Sequence, residues 1–238
     1  CCDRLKEEMS FLIGHHRCLR STFPALQALQ LKTDLENRAY RSFPHYTRQG
    51  YHTARLPPAL RERLTRTWTQ KRHQARPEDS DPRYITGPGG ADAPPAYMLQ
   101  LSEHDPDLVR DLEAFVKQEL EAWTGMTHLR HTSTYGIREY TDGAVLHTHV
   151  DRHETHILSA IVHVGSLGAR RPWHLAVQNR HMKQPVEIAF TPEVDVILYE
   201  SASLAHGRPK PFQGERFANL FLHFAPHDWG ETLQRLDI

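Results

Sequence analysis

Cysteine is scarce in this 238-residue chain: Cys1, Cys2 and Cys18 are the whole complement. Three thiols crowded at one end cannot staple a fold, and their spacing offers no closed zinc site. Apolar runs are short as well, and none approaches the roughly 18 residues that a membrane-spanning helix needs. Charge of one sign is missing too. The 29 Lys and Arg balance 29 Asp and Glu, which removes any global argument for a nucleic-acid or membrane partner. Internal repeats and low-complexity tracts are absent. The mean hydropathy of −0.62 and the 16 prolines suit a soluble, loop-rich chain, long enough for one large domain or two small ones. We expect a cytoplasmic rather than a secretory setting. The chain opens on Cys1 rather than Met, so it is expected to be a trimmed or processed product, in which a removed targeting segment leaves no trace.

The hydrophobic period changes near residue 130. Before it, helical patterns dominate. One covers 3–31. A second, 56–74, is opened by proline and carries Leu60, Leu64 and Trp68 on one stripe. The strongest covers 105–125, with Asp105 as cap, Pro106 in the first turn and Gly125 as the stop. Between the last two, residues 76–97 are rich in Pro, Gly and Asp and read as a long loop, functional or mobile. After residue 130 the period falls toward two. Short strands are expected over 132–140, 144–150, 156–164, 173–179, 186–190, 195–200 and 216–224. That series predicts an α+β chain with an antiparallel sandwich or barrel and helices packed outside it. The expected division is a helical region, 1–130, supporting a β core, 131–238.

Histidine is the residue in excess, at 18. "LHTHVDRHETH" (146–156) places His147, His149, His153 and His156 within one short run. An isolated His-x-Asp pair is weak, since about one is expected by chance in a chain of this composition. Placement gives His149-x-Asp151 its weight: it lies near the end of an expected strand, where alternation sets His147, His149 and Asp151 on one face. His206, 55 residues after Asp151, is the candidate third ligand. Two imidazoles and one carboxylate leave adjacent positions open on an octahedral ion, a set suited to Fe(II) oxygen chemistry. Arg216 follows His206 by ten residues. Its planar fork suits the far carboxylate of a dicarboxylic cosubstrate.

Together, "REYTDGAVLHTHVD" (138–151), His206 and Arg216 resemble the prolyl 4-hydroxylase-like branch of the Fe(II)- and 2-oxoglutarate-dependent dioxygenases. The resemblance spans about residues 130–226. It implies a double-stranded β-helix (a jelly-roll or cupin-like barrel) with Fe(II) held by His149, Asp151 and His206. It also implies 2-oxoglutarate held by Arg216, with Tyr140 and His163 beside it, O2 as second cosubstrate and ascorbate as a further expected cofactor. The activity implied is hydroxylation of an aliphatic C–H bond of proline, a peptidyl proline or another amino acid. His163 stands where oxygen-sensing relatives place a tyrosine, and "GSLGARRPWHLAVQN" (165–179) replaces the family's Gly-Gly-x-Thr stretch. Arg152, Trp173, Tyr199 and Arg208 flank the expected ligands and are the candidate contacts for a small-molecule or peptide substrate.

Two other classes compete. A cupin-like metal-binding or sensing barrel without oxygenase activity would leave Arg216 with no assigned partner. Nucleic-acid demethylation would use the basic stretch 61–76, which is more simply the solvated face of a helix. The oligomeric state is not legible in the sequence.

Overall fold

In the computed structural model, which describes residues 43–88, 94–178, 181 and 184–236, proline opens both long helices. These are α1 (Pro58–Lys71) and, after the single turn α2 (Leu101–His104), α3 (Pro106–Thr124). Proline's fixed φ suits a first turn, where no intrahelical N–H is needed. The Asp105 side chain caps α3 by accepting from the Leu108 amide at 3.1 Å. Gly125, at φ +70°, ends it in the left-handed conformation. Asp105 also accepts a two-point contact from Arg63 of α1, tying the two helices together. The helical pattern over 3–31 lies outside the described residues.

Twelve strands occur among the described residues. They are β1 (Tyr51–Ala54), β2 (Arg76–Pro77), β3 (Ile85–Thr86), β4 (Ala96–Leu99), β5 (Leu129–Tyr140), β6 (Val145–His149), β7 (Leu158–Leu167), β8 (Leu175–Val177), β9 (Val186–Ile188), β10 (Val196–Tyr199), β11 (His206–Arg208) and β12 (Arg216–Pro226). They form a seven-stranded antiparallel sheet, β1-β10-β7-β12-β5-β4-β2, and a five-stranded one, β3-β6-β11-β8-β9. Strands from both sides of residue 130 therefore share each sheet. A closing helix, α4 (Trp229–Leu236), buries Trp229.

Alternation along the strands divides the core in two. Leu64, Trp68, Leu108, Leu112, Leu120, Leu220, Leu222 and Phe224 pack the helices against one face of the large sheet. Tyr140, Leu146, Ile161, Trp173, Leu175, Val177, Ile197, Tyr199, Phe217 and Phe221 come from both sheets and fill the space between them. Each of the longer expected strands is present within a few residues of its predicted bounds. The described part of 76–97 is not the free loop its composition suggested. It supplies β2, β3 and the start of β4, and β3 pairs with β6 through Ile85↔Leu146 and Thr86↔Val145. Its described part is a wall of the barrel.

The β4–β5 join depends on Gly136, where an added Cβ would land on the Leu99 carbonyl. Gly136→Ala should therefore cost about 2–3 kcal/mol by forcing backbone apart. Gly125→Ala, which meets nothing within 4 Å, should cost only about 1–2 kcal/mol for its left-handed φ. Urea unfolding of the two variants compares them directly.

Candidate metal centre

The two sheets meet their chemistry where β6 pairs with β11. His206 stands directly opposite His149 in that ladder, and the rings lie 4.5 Å apart between centroids. Glycine permits the approach. A Cβ at Gly207 would sit 2.9 Å from the carbonyl oxygens of Leu146 and His147. Asp151 follows just past the end of β6, and its amide donates to the Ser201 carbonyl at 2.9 Å. The carboxylate thus arrives from a pinned turn rather than from the strand itself.

The ligand atoms of His149, Asp151 and His206 lie within 4.8 Å of one another. His149 Nε2 is 3.4 Å and His206 Nε2 3.6 Å from the same oxygen, Asp151 Oδ1. Each ring is fixed from behind. His149 Nδ1 donates to the His147 carbonyl at 2.7 Å, and His206 Nδ1 donates to the Leu204 carbonyl at 2.9 Å. Those bonds set the tautomer, leaving both Nε2 lone pairs aimed at one point, the usual support of a metal-ligating imidazole. The other carboxylate oxygen, Asp151 Oδ2, is buried with no hydrogen-bond partner among the described residues. Burial raises the Asp151 pKa, but the closeness of His206 and His149 to its carboxylate outweighs that and holds it well below the usual carboxylate range. An ionised acid, two oriented imidazoles and an orphaned oxygen fit a divalent cation with open positions.

Tyr199 packs edge-on against the His206 ring at 4.6 Å, and Tyr84 packs edge-on against His149 at 5.0 Å. His147 turns away to Thr86 Oγ1 at 2.8 Å. His153 and His156 are likewise outside the triad. Trp173, Tyr199 and Arg208 are buried in the interior, whereas Arg152 is exposed. Tyr140 is fully buried there, and its hydroxyl makes no hydrogen bond among the described residues. His163 shares a 3.1 Å hydrogen bond with Asn219 and stacks on Phe190.

Arg216 is placed differently from the expectation. Phe217 points inward against Trp173, Phe212 and His163, so strand parity turns Arg216 to the helix side. There its guanidinium lies 3.4 Å from buried Glu139 and over the Tyr97 ring, and the Trp68 indole donates to the same Glu139. Spacing along the chain does not fix the face of the strand.

Sequence reasoning missed a polar seam beside the triad. His223 of β12 lies 3.9 Å from Asp151 Oδ2, hydrogen bonds Ser159 at 2.7 Å and stacks on His156 at 3.7 Å. The signal was present as Asn219 and His223 at alternating positions of the otherwise apolar "FANLFLHF" (217–224).

No protein-family model matches the chain, and no curated protein matches it. Solved structures do. HygX from Streptomyces hygroscopicus, with nickel, 2-oxoglutarate and hygromycin B bound, has a TM-score of 0.52 at 10% identity over 76% of this chain and 84% of its own. AviO1 from Streptomyces viridochromogenes Tue57 has a TM-score of 0.50 at 16% identity, covering 82% and 95%. The fold is the double-stranded β-helix of the 2-oxoglutarate/Fe(II) oxygenases. A 2OG-Fe(II) oxygenase-family oxidoreductase from Burkholderia pseudomallei is similar to the same degree, with a TM-score of 0.50 at 13% identity over 82% and 90%. The resemblance read from the sequence thus holds at the level of the fold.

Two expectations follow. Gly207→Ala should part β11 from β6 and weaken Fe(II) or Mn(II) binding by at least about tenfold, measured by metal titration. The second concerns acid. Burial lowers the pKa of His163 to about 4 and that of His223 to about 3, from an ordinary 6.5. Both stay neutral when folded but take up protons when unfolded. Stability is therefore full above pH 6.5 and falls below it, by up to about 1.4 kcal/mol per pH unit for each histidine. The loss from His163 levels off near pH 4 and that from His223 near pH 3. In urea unfolding of metal-free protein, His163→Phe should have a shallower slope between pH 6 and 4 than the parent.

Proposed function

We propose that the chain is an Fe(II)- and 2-oxoglutarate-dependent dioxygenase that hydroxylates an aliphatic C–H bond, with proline, a peptidyl proline or another amino acid as the substrate class. One observation carries this reading: two imidazoles, fixed through Nδ1, present Nε2 to one ionised and otherwise unpartnered carboxylate. HygX, which shares the fold, has been crystallised with nickel and 2-oxoglutarate bound, and that supports the same assignment.

His149, Asp151 and His206 would hold the metal from one side. When bound, the iron would supply activation of O2 coupled to oxidative decarboxylation of 2-oxoglutarate. The remaining tasks fall to the protein, which must orient the reactants and exclude water. Nδ1–H of each ligating histidine stays committed to a backbone carbonyl, so neither ring can rotate or swap its donor atom. Tyr199 and Tyr84 brace those rings through edge-on contacts. Aromatic side chains from both sheets line the interior, giving a low-dielectric space in which a substrate can be held away from bulk water.

Ala at His149, Asp151 or His206 should abolish stoichiometric metal retention and reduce succinate release from 2-oxoglutarate at least about 100-fold. Ala at His147, His153 or His156 should leave metal retention largely intact. The measurement is bound metal after dialysis, alongside succinate release screened against proline, proline-rich peptides and other amino acids. Metal retention without succinate from any of these would favour a sensing barrel instead.

A further inference from the structure

Buried cations in a fold are normally matched by acids, since an unpaired charge inside a protein is costly. Arg138 and Arg216 each have an acid partner. Arg138 donates through Nε and Nη2 to Glu78 at 2.6 and 2.5 Å. Arg216 is placed against Glu139 on the helix side. Arg208 is the exception. It is 1% exposed, and among the described residues no acid forms an ion pair with it. Its Nη1 donates to the Trp173 carbonyl, while Nη2 is buried without any partner. Three rings enclose the guanidinium: Trp173 and Phe217 at 4.9 Å and Phe190 at 5.5 Å. The buried hydroxyl of Tyr140, which lies beside the Arg138 guanidinium, belongs to the same neighbourhood, its ring edge-on to Trp173 at 5.0 Å.

Arg208 and His206 share β11 and are two residues, roughly 6.6 Å, apart along the strand, with a register shift against β6 between them. Both face the space between the sheets, where His206 meets the triad and Arg208 meets Trp173 and Phe217. A five-carbon 2-oxo dicarboxylate, with acid groups at its two ends, has a comparable reach.

We infer that Arg208, with the Tyr140 hydroxyl, anchors the distal carboxylate of the dicarboxylic cosubstrate, and that Arg216 takes no part in binding it. The inference rests on the oxygenase reading above for the ligand's oxo-acid end, but the anion site stands on Arg208 itself. One free guanidinium edge and one hydroxyl form a two-point donor set for a single carboxylate. The aromatic enclosure keeps water from competing. The anchor would thus sit on the strand of the distal histidine rather than on the strand that follows.

Equilibrium titration of Mn(II)-loaded protein with 2-oxoglutarate and with 2-oxopentanoate, which lacks only the distal carboxylate, tests this. The parent should prefer 2-oxoglutarate by at least about 30-fold. Arg208→Gln should erase that preference while leaving 2-oxopentanoate affinity and metal content unchanged. Arg208→Lys, which keeps the charge without the fork, should restore part of it. Arg216→Gln should retain it in full. A preference that survives in Arg208→Gln, or that vanishes in Arg216→Gln, overturns the assignment. If Arg208→Gln does not fold, Arg208→Lys decides the matter by whether its preference falls below that of the parent. If neither oxo acid binds the parent, the oxygenase reading fails, and glutarate binding to metal-free protein, followed by tryptophan fluorescence, judges Arg208 alone. Binding that Arg208→Lys weakens keeps the anion site. No binding, or binding that Arg208→Lys leaves unchanged, removes it.

Discussion

The pairing of β11 with β6 is the constraint on which the rest of the centre depends. It sets His206 opposite His149, and it is possible only because Gly207 has no side chain to separate the strands. Everything else at the metal centre is support for that register. Backbone carbonyls hold the two Nδ1 atoms, the pinned turn after β6 delivers Asp151, and Tyr199 and Tyr84 fill the flanks. None of these partners would matter if the two strands sat one residue out of step, because a one-residue slip would turn a ligand outward.

Charge is distributed by the same parity. The large sheet carries Glu139 on its helix face, where Trp68 and Arg216 satisfy it. One residue along β5 in either direction, Arg138 and Tyr140 face the interior with Phe221 and Trp173. The barrel thus separates the Glu139–Arg216 pair on the helix side from the Arg138–Glu78 pair and from Arg208, which has no acid partner among the described residues, inside. Arg208 and Arg216 differ mainly in which side of a sheet they occupy, and that difference separates a brace from a candidate binding group.

Much of this was legible before the structure. The helices 58–71 and 106–124 followed from proline, cap and stripe, and the longer strands from a period near two. The triad was legible because His149-x-Asp151 stands at a strand end and His206 returns at the right distance. The short strands were not. β2, β3 and β11 hold two or three residues each, too few to show a period, and β2 and β3 lie in a stretch whose Pro, Gly and Asp imitate a free loop. Arg216 was assigned to the interior because spacing locates a residue along a strand but not on a face. Deciding the face required the alternation of Phe217, Asn219, Phe221 and His223, including the two register shifts along β12 against β5.

The wall built by residues 81–88 reaches inward to the metal centre. The Tyr84 carbonyl accepts from the His147 amide at 2.8 Å, Thr86 holds the His147 ring, and the Tyr84 ring leans on His149. The stretch is anchored at Asp81, whose carbonyl accepts from the Tyr84 and Ile85 amides and whose carboxylate holds Arg83. The same short stretch therefore forms part of the barrel's outer wall and touches one of the three candidate ligands, so only a few residues lie between the outer surface and the His149 ring.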